Sequence, residues 1–233
     1  MEWKRKSVLA FTEKDQGTFD DFETYLEWLS SANIVLKASY QIQMCESSKE
    51  KVQAVIVNFT KDNNFESVKA VHIAEIRKGE PIELAFCMKP KYAVPAVFKA
   101  WVEFTDNMLT YRNDMEDVEI SLLDMLIPLP GDVELYDKLW HRFTDSNNSN
   151  RSQCVQSIKV VHKQWQGFTK SMNQICSKYK ISEDDNKGMY GMLSASGHHL
   201  LLTCVGLEEQ TNVSIATDSY HMLPFVDKFL STV

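Results

Sequence analysis

The histidines are the residues whose type could hold a metal, and their spacing is the first test of that role. His198 and His199 are adjacent, and neighbouring residues on a strand point to opposite faces of a sheet, so the pair cannot readily share a metal. The other four histidines are scattered, with no HxxxH or HExxH spacing. The sequence therefore predicts no metal site and no bound cofactor.

Cysteine and serine nucleophiles are tested in the same way. A reactive thiol needs a basic neighbour that lowers its pKa. Cys204 lies in an apolar run, as does Cys87, which would face away from Leu84 and Phe86 on a regular strand. Glycine-rich phosphate loops are absent, and residues 191–197 lack the two flanking glycines of a GxSxG elbow. We predict no catalytic residue, although a site assembled from distant residues stays open.

An acidic segment carries the strongest charge bias in the chain. Its carboxylates alternate with leucine and isoleucine between Arg112 and Lys138. One interpretation is a solvated helical face. The other is a docking surface for a basic protein partner, in which apolar residues provide contact area and carboxylates steer association. The candidate partner-binding residues are Asp114, Glu116, Asp117, Glu119 and Asp124.

The composition is that of an ordinary globular protein. The 233 residues are 44% hydrophobic, and the net charge of −7 disfavours general electrostatic contact with nucleic acid phosphates. No apolar run approaches the roughly 18 residues of a membrane span, and no apolar segment follows the charged start. An odd number of cysteines without a CxxC pair is typical of free thiols in a reducing compartment. We expect a cytoplasmic or nuclear protein without a membrane anchor.

The elements of the first half follow from changes of hydrophobic period. A short strand is predicted over 7–11 and a helix over about 18–32, capped by Thr18. From 34 to 44 the apolar residues alternate, which predicts a half-buried strand. Further strands are predicted over 52–59, 68–76 and 82–88. Because the turns between them are short, we expect an antiparallel meander of four strands. Helices are then predicted from Pro95 to near Arg112, over 115–127 and near 133–143.

The second half is organised around an apolar stripe between residues 154 and 179. Its gaps alternate four and three, which is typical of one continuous helix about 40 Å long. Such a stripe packs within its own domain or against a partner helix, and the aromatic residues Trp165 and Phe168 favour the first. Strands are then predicted over 189–195, 198–207 and 212–217, with a last helix near 221–230.

These elements together predict an α+β protein in two parts. Residues 1–143 would form a helix, a four-stranded antiparallel meander and further helices, and the polar stretch 144–152 would be a linker. Residues 153–233 would form a smaller unit of long helix, three-stranded meander and C-terminal helix. The element order of the first part resembles that of RWD and ubiquitin-conjugating-enzyme-like folds. Because the His-Pro-Asn segment of those enzymes is absent, the resemblance implies a relative that binds without catalysing conjugation.

The sequence thus predicts a non-catalytic protein-interaction module, a subunit or adaptor of a cytosolic or nuclear assembly. Its partners are expected to be proteins with a basic surface, and self-association stays open. One alternative is an enzyme, a hydrolase or transferase, whose pocket is lined by His72, His198 or Cys87. Another is a protein that binds single-stranded nucleic acid through exposed aromatic residues on a sheet.

Overall fold

The computed structural model describes residues 1–14, 19, 21–45, 50–60, 62–66, 69–106, 108–145 and 154–233. Helices and antiparallel sheets occur together, which confirms the α+β class. The residues form two compact units, each built from separate segments. The first unit comprises Met1–Ala10, Val35–Lys91 and Pro95–Asp124, and the second comprises Phe11–Ile34, Tyr92–Val94 and Met125–Val233.

The first unit is built from β-strands. Its strands are β1 (Glu2–Thr12), β2 (Ile34–Gln43), β3 (Lys51–Phe59), β4 (Val71–Arg77), β5 (Ile82–Met88), β6 (Ala96–Phe98), β7 (Ala100–Asp106), β8 (Leu109–Asp114) and β9 (Val118–Ile120). They form a three-stranded sheet in the order β1-β2-β5, a four-stranded sheet in the order β4-β3-β7-β8 and the pair β6-β9. Phe86 of β5 packs on Phe59 of β3 with ring centroids 4.5 Å apart, so the two larger sheets share a core.

The predicted meander of the first half needs correction in its pairing. The four strands exist, and the alternation in β2 buries Leu36, Ala38, Tyr40 and Ile42 as predicted. However, β2 pairs with β5, while β3 and β4 form a hairpin in the other sheet. An alternating pattern identifies which face of a strand is buried, but it does not identify the strand that pairs with it. The likeness in element order to ubiquitin-conjugating-enzyme-like folds therefore does not extend to the sheet.

The helices predicted between Pro95 and residue 127 are wrong, because this segment forms β6 to β9 and a 3-10 turn at Leu123–Met125. Phe98, Ala100 and Val102 are buried at every second position, which is the period of a strand. Met108, at φ 64°, lies in the turn between β7 and β8. The apolar residues that fit a helical spacing also fit two short strands, and pairing with β3 selects the strands.

The second unit contains the described helices and one larger sheet. Its elements are α1 (Phe22–Ser31), β10 (Leu126–Pro128), α2 (Val133–Thr144), β11 (Val155–Val161), α3 (Trp165–Cys176), β12 (Lys180–Glu183), β13 (Lys187–Ser194), β14 (His199–Gly206), β15 (Thr211–Thr217) and α4 (Leu223–Leu230). The sheet has the order β10-β13-β14-β15-β11, with β12 also paired to β13. The predicted meander of three consecutive strands, β13 to β15, and the final helix are confirmed.

Helices cover the sheet of the second unit on both faces. Leu201 and Ala216 lie in one buried cluster with Tyr25 of α1 and Leu139 of α2. On the opposite face Trp165 of α3 lies so close to the backbone that a Cβ added at Gly206 would come within 2.6 Å of it. Phe168 and Met172 of α3 are also buried. A three-layer arrangement results, and it positions the polar network described below.

The single helix predicted from 154 to 179 is wrong in its first part. Residues Val155–Val161 form β11, whose seven residues all pair with β15, and the helix begins only at Trp165. Ile158, a member of the predicted stripe, is 73% exposed. The β-branched residues of this stretch suit a strand, and a long pairing partner overrides the helical spacing. The predicted apolar face of the helix is present in α3, where Phe168 and Met172 are buried.

Three further predictions concern the cap of α1, the linker and membrane-spanning helices. α1 is capped by the Asp21 carboxylate, which accepts from the Thr24 backbone N–H at 2.8 Å, while Thr18 lies outside the described residues. Most of the predicted linker 144–152 also lies outside them, so the independence of 1–143 and 153–233 stays a prediction. Within the described ranges, no helix is both long and apolar enough to cross a membrane.

Candidate functional site

A buried polar network in the second unit joins α1 to the sheet. The Tyr25 hydroxyl lies 2.6 Å from Nε2 of His199, and Nδ1 of His199 lies 2.7 Å from Oδ2 of Asp218. The backbone N–H of His199 also donates to Oδ1 of Asp218 at 2.7 Å. Tyr25 lies on α1, His199 begins β14 and Asp218 follows β15. The antiparallel pairing of the two strands thus places the imidazole beside the carboxylate.

The electrostatics of the network fix the roles of its groups. Burial opposes ionisation of Asp218, but the hydrogen bonds from the ring and backbone of His199 outweigh it and hold the carboxyl pKa below its usual range. Burial, reinforced by the Asp218 charge, raises the pKa of Tyr25 far above its usual range. A neutral phenol that donates to Nε2 places the ring proton on Nδ1, facing the Asp218 carboxylate.

A carboxylate, an imidazole and a hydroxyl joined in that order by hydrogen bonds form the arrangement that activates a nucleophile in hydrolases. In this protein the hydroxyl belongs to Tyr25, which is fully buried. A substrate must reach the nucleophile, and a phenol with a strongly raised pKa resists deprotonation. The network is therefore suited to holding α1 on the sheet. Sequence analysis did not identify it, because Tyr25 and Asp218 are far from His199 in the chain and share no motif with it.

The histidine pair does not separate onto two faces as predicted. His198 precedes β14, so strand alternation does not apply to it, and its Nδ1 lies 3.8 Å from Oδ1 of Asp218. Burial lowers the pKa of His198, although the Asp218 charge acts in the opposite direction. Both histidines thus approach one carboxylate. The described ranges contain no group of three or more His, Cys, Asp or Glu that could hold a metal.

The other residues considered for catalysis do not form a site with one another. His72 lies exposed on β4, and Cys87 lies exposed on β5 in a different sheet. Cys87 faces away from the buried Leu84 and Phe86, as the sequence predicted. Cys204 is buried, and burial raises the pKa of its thiol well above the usual range. A thiol in such surroundings is a poor nucleophile.

The acidic segment of the first unit is extended rather than helical. Asp114 ends β8, Glu116 and Asp117 lie exposed in the turn that follows, and Glu119 lies exposed in the middle of β9. Asp124 lies in the 3-10 turn at Leu123–Met125. Asp114 is also 3.1 Å from Arg112, whose guanidinium lies over the Trp101 ring.

Arg5 bonds two residues of this segment, Glu119 and Asp124. Its Nη1 donates to the Glu119 carbonyl at 3.0 Å, and its Nη2 donates to Oδ1 of Asp124 at 3.0 Å. Asp124 also accepts from the backbone and hydroxyl of Ser121, at 2.8 and 2.9 Å. Asp124 therefore has a structural role in closing its turn, while Glu116, Asp117 and Glu119 direct their side chains to solvent.

Two cavities in the first unit meet at Arg5. The larger, here called the Trp3 groove, has a volume of about 590 Å³. The smaller has a volume of about 420 Å³. The Trp3 groove is lined by Met1, Glu2, Trp3, Lys4, Arg5, Gln41, Gln43, Asp114, Met115 and Glu116. The smaller one is lined by Arg5, Pro95, Ala96, Val97, Glu119, Ile120, Ser121 and Asp124. Four of the five predicted acids thus line a cavity, and Asp117 lies between the two pairs.

Comparison with known proteins finds similarity to a subunit of a protein complex. Residues 134–233 match the family described as AP5B1, C-terminal. The chain is also 21% identical over 201 residues to a Xenopus tropicalis protein named AP-5 complex subunit beta-1. That alignment covers 80% of this chain and 22% of the relative, so the chain spans about a fifth of the relative's length. The family match begins within α2 and includes β11 to β15, so it falls in the second unit.

Proposed function

We propose that this chain is a non-catalytic protein-interaction module, a subunit or adaptor of a cytosolic or nuclear protein assembly. The observation that carries the proposal is the similarity of residues 134–233 to the C-terminal region of AP5B1. The relative aligned with most of the chain is named as a subunit of the AP-5 complex. A likeness to one part of a complex subunit supports a role in assembly with other proteins.

The geometry of the second unit supports a non-catalytic role. Its hydroxyl, imidazole and carboxylate form a closed set, because Tyr25 has no exposed surface and both Asp218 oxygens accept hydrogen bonds from His199. Such a set stabilises one arrangement of α1 on the sheet. A catalytic version would present its nucleophile to solvent.

The proposed contact surface is the acidic segment with Asp114, Glu116, Asp117, Glu119 and Asp124. Four of these five acids line one of two cavities, and Glu116, Asp117 and Glu119 are exposed, where a basic partner could approach them. Charges at the rim of an interface mainly raise the rate of association, and salt weakens this effect. Asp124 contributes to the shape of the surface through its bonds to Arg5 and Ser121.

The test is a charge reversal with a matched control. The triple variant Asp114→Lys, Glu116→Lys, Asp117→Lys changes the acidic segment. The control Asp185→Lys, Glu208→Lys, Glu209→Lys makes the same change of charge at exposed acids of the second unit. Tagged full-length chains are recovered from native extract, and the complexes are weighed by light scattering.

We expect wild type and control to retain a stoichiometric protein partner and the segment variant to lose at least about 90% of it, since each reversed rim charge adds repulsion. Recovery of the wild-type chain alone, as monomer or dimer, would contradict the proposed function. If the segment variant retains the partner fully at low salt, the proposed function stands, but the acidic segment is not its contact surface.

A further inference from the structure

The turn between β7 and β8 in the first unit carries the most exposed large apolar side chain among the described residues. Met108 is 98% exposed, and Leu109 beside it is 60% exposed. All ten methionines of the chain lie within the described ranges, and the other nine are buried or partly buried. Methionine otherwise fills cores in this protein, so its position at a turn needs a separate explanation.

The backbone at Met108 does not provide that explanation. Its φ of 64° lies in the left-handed region, where a residue with a Cβ costs free energy that glycine avoids. Asp106 pairs with Leu109, so two residues join the strands, and turns of this length favour glycine and asparagine. Ala54, the other non-glycine residue in this region among those described, lies at an irregularity of β3. Met108 therefore strains the turn and gains nothing from packing within the chain.

The apolar face of the sheet continues beyond the core towards this turn. Residues directly opposite in an antiparallel pair share a face, and this face includes Val102, Phe104, Tyr111 and Leu109. Val102 is buried and Phe104 half-buried, while Tyr111 is 43% exposed. The Phe104 and Tyr111 rings are stacked with centroids 5.5 Å apart. Leu109 and Tyr111, with Met108 at the turn, are here called the hairpin tip.

The charges near the hairpin tip do not select an anionic membrane surface. Lys51 and Arg77 are both bonded to Glu75, at 3.1 and 2.6 Å. At this end of the four-stranded sheet the described charges nearly cancel, with carboxylates at Glu50, Glu75, Glu80 and Asp106 and cations at Lys51, Arg77 and Lys78. A protein that binds anionic lipid headgroups needs an excess of basic residues. The surroundings of the hairpin tip therefore favour an apolar pocket of a protein.

Strand β8 connects the hairpin tip to the acidic segment. It runs from Leu109 to Asp114, about 17 Å at the rise of an extended strand. Glu116 and Asp117 are exposed in the turn that follows. A protein whose basic surface complements the acidic segment can thus reach the hairpin tip as well. Interfaces commonly combine an apolar anchor with charged residues at the rim.

We propose that the hairpin tip inserts into an apolar pocket of the protein partner whose basic surface contacts the acidic segment. The inference rests on the proposed function, and it adds the chemistry of a second contact region. Burial of Met108 and Leu109 contributes binding free energy that does not depend on salt. The acidic segment contributes steering that salt weakens.

The first test measures the dissociation constant of full-length variants for the partner that the wild-type chain recovers from extract. Met108→Gly removes the side chain and should weaken binding at least about tenfold, at low and at high salt alike. The same change relieves the turn, so the midpoint of thermal unfolding should rise by about 2 °C. A residue that only supported the fold would lower both affinity and stability when replaced.

A second variant and its control test the neighbouring leucine. Leu109→Thr keeps a residue that favours strands and should weaken binding about fivefold. Leu207→Thr changes an exposed leucine in the turn after β14 of the second unit and should bind as wild type does. Equal losses in the two leucine variants would overturn the assignment of the contact to the hairpin tip.

Methionine oxidation tests the contact without any substitution. In the free chain, dilute hydrogen peroxide should oxidise Met108 to the sulfoxide faster than the buried Met125 and Met172. In the complex, mass spectrometry should show that Met108 loses this rapid oxidation while the two buried residues are unchanged. Unprotected Met108 in the saturated complex would overturn the inference.

Vesicles distinguish a membrane from a protein pocket. The full chain should not sediment with vesicles of phosphatidylcholine, or with vesicles of equimolar phosphatidylcholine and phosphatidylserine. Sedimentation that is lost in Met108→Gly would overturn the choice of a protein pocket. A folded Met108→Gly chain that binds its partner as wild type does would overturn the inference and leave the proposed function standing. Recovery of the wild-type chain without any partner would contradict the proposed function itself.

Discussion

The two units differ in how the hydroxyls of their deeply buried tyrosines are bonded. In the second unit Tyr25, His199 and Asp218 satisfy one another, and the other deeply buried tyrosines also have partners. In the first unit Trp3 and Tyr40 are buried without a partner among the described residues. Satisfied polar groups specify one packing of a core, while a buried polar group without a partner costs stability. The second unit also buries unpartnered polar atoms, at Asn173, Asn212 and Ser219, so the contrast concerns the buried tyrosines and not every polar group.

The largest effect should come from breaking the network of the second unit. His199→Ala leaves the Tyr25 hydroxyl and the Asp218 carboxylate without their partner inside the protein. We expect a loss of about 3 kcal/mol or more in the free energy of unfolding, measured by urea denaturation. His198→Ala is the control, and since its ring is 3.8 Å from Asp218 and partly exposed, it should cost less than about 1 kcal/mol. Equal losses in the two variants would contradict a structural role for the network.

The second test of the network is the pH dependence of the free energy of unfolding. The folded-state pKa of Asp218 is lowered, so its contribution to stability is present above the unfolded value of about 3.9 and is lost as the pH falls through the folded value. Asp218→Asn removes the ionisation and keeps the shape. The difference in unfolding free energy between wild type and Asp218→Asn should shrink on acidification. Parallel stability curves down to the lowest pH would show that the carboxylate charge is not what stabilises this network.

The smallest effects come from removing single hydroxyls in the two units. Tyr136→Phe should cost about 1 kcal/mol in unfolding free energy, because Tyr136 is bonded to Thr203 at 2.9 Å. Tyr40→Phe in the isolated chain should cost nothing or should stabilise it, because the hydroxyl it removes is buried and unpartnered. Matched chemical denaturation of both variants measures the difference. A larger loss for Tyr40→Phe would mean that its hydroxyl already has a partner in the free chain.

Much of the fold could be predicted from local patterns. The alternation in β2 was predicted because one face of that strand is buried, and the consecutive strands β13 to β15 were predicted because polar turns separate them. The helix predicted over 154–179 failed in its first part because spacing of four and three does not distinguish a helix from a strand paired with β15. The partner strand, β15, lies about 50 residues further along the chain, and the sequence pattern does not reveal that pairing.

The candidate site was predictable in part. The acidic segment was identified from charge bias, which needs no structure, although the helix predicted over 115–127 was wrong, while the one predicted near 133–143 is α2. Arg5 and Trp3 were not identified, because they are brought to Asp124 and Glu116 by folding of β1 and not by any motif. His199 was considered only as a metal ligand, and its Tyr25 and Asp218 partners come from α1 and the end of β15. Contacts between distant elements are what local sequence patterns lack.

The most direct test of the central claim is the dissociation constant of the recovered partner at increasing salt. It is measured for wild type, for the triple Lys variant of Asp114, Glu116 and Asp117, and for the triple Lys control of Asp185, Glu208 and Glu209. We predict that wild type and control lose affinity steeply with salt, and that the segment variant binds weakly with a shallow dependence. Equal, salt-independent affinity in wild type and segment variant, with loss in the control, would place the interface on the second unit and contradict the account.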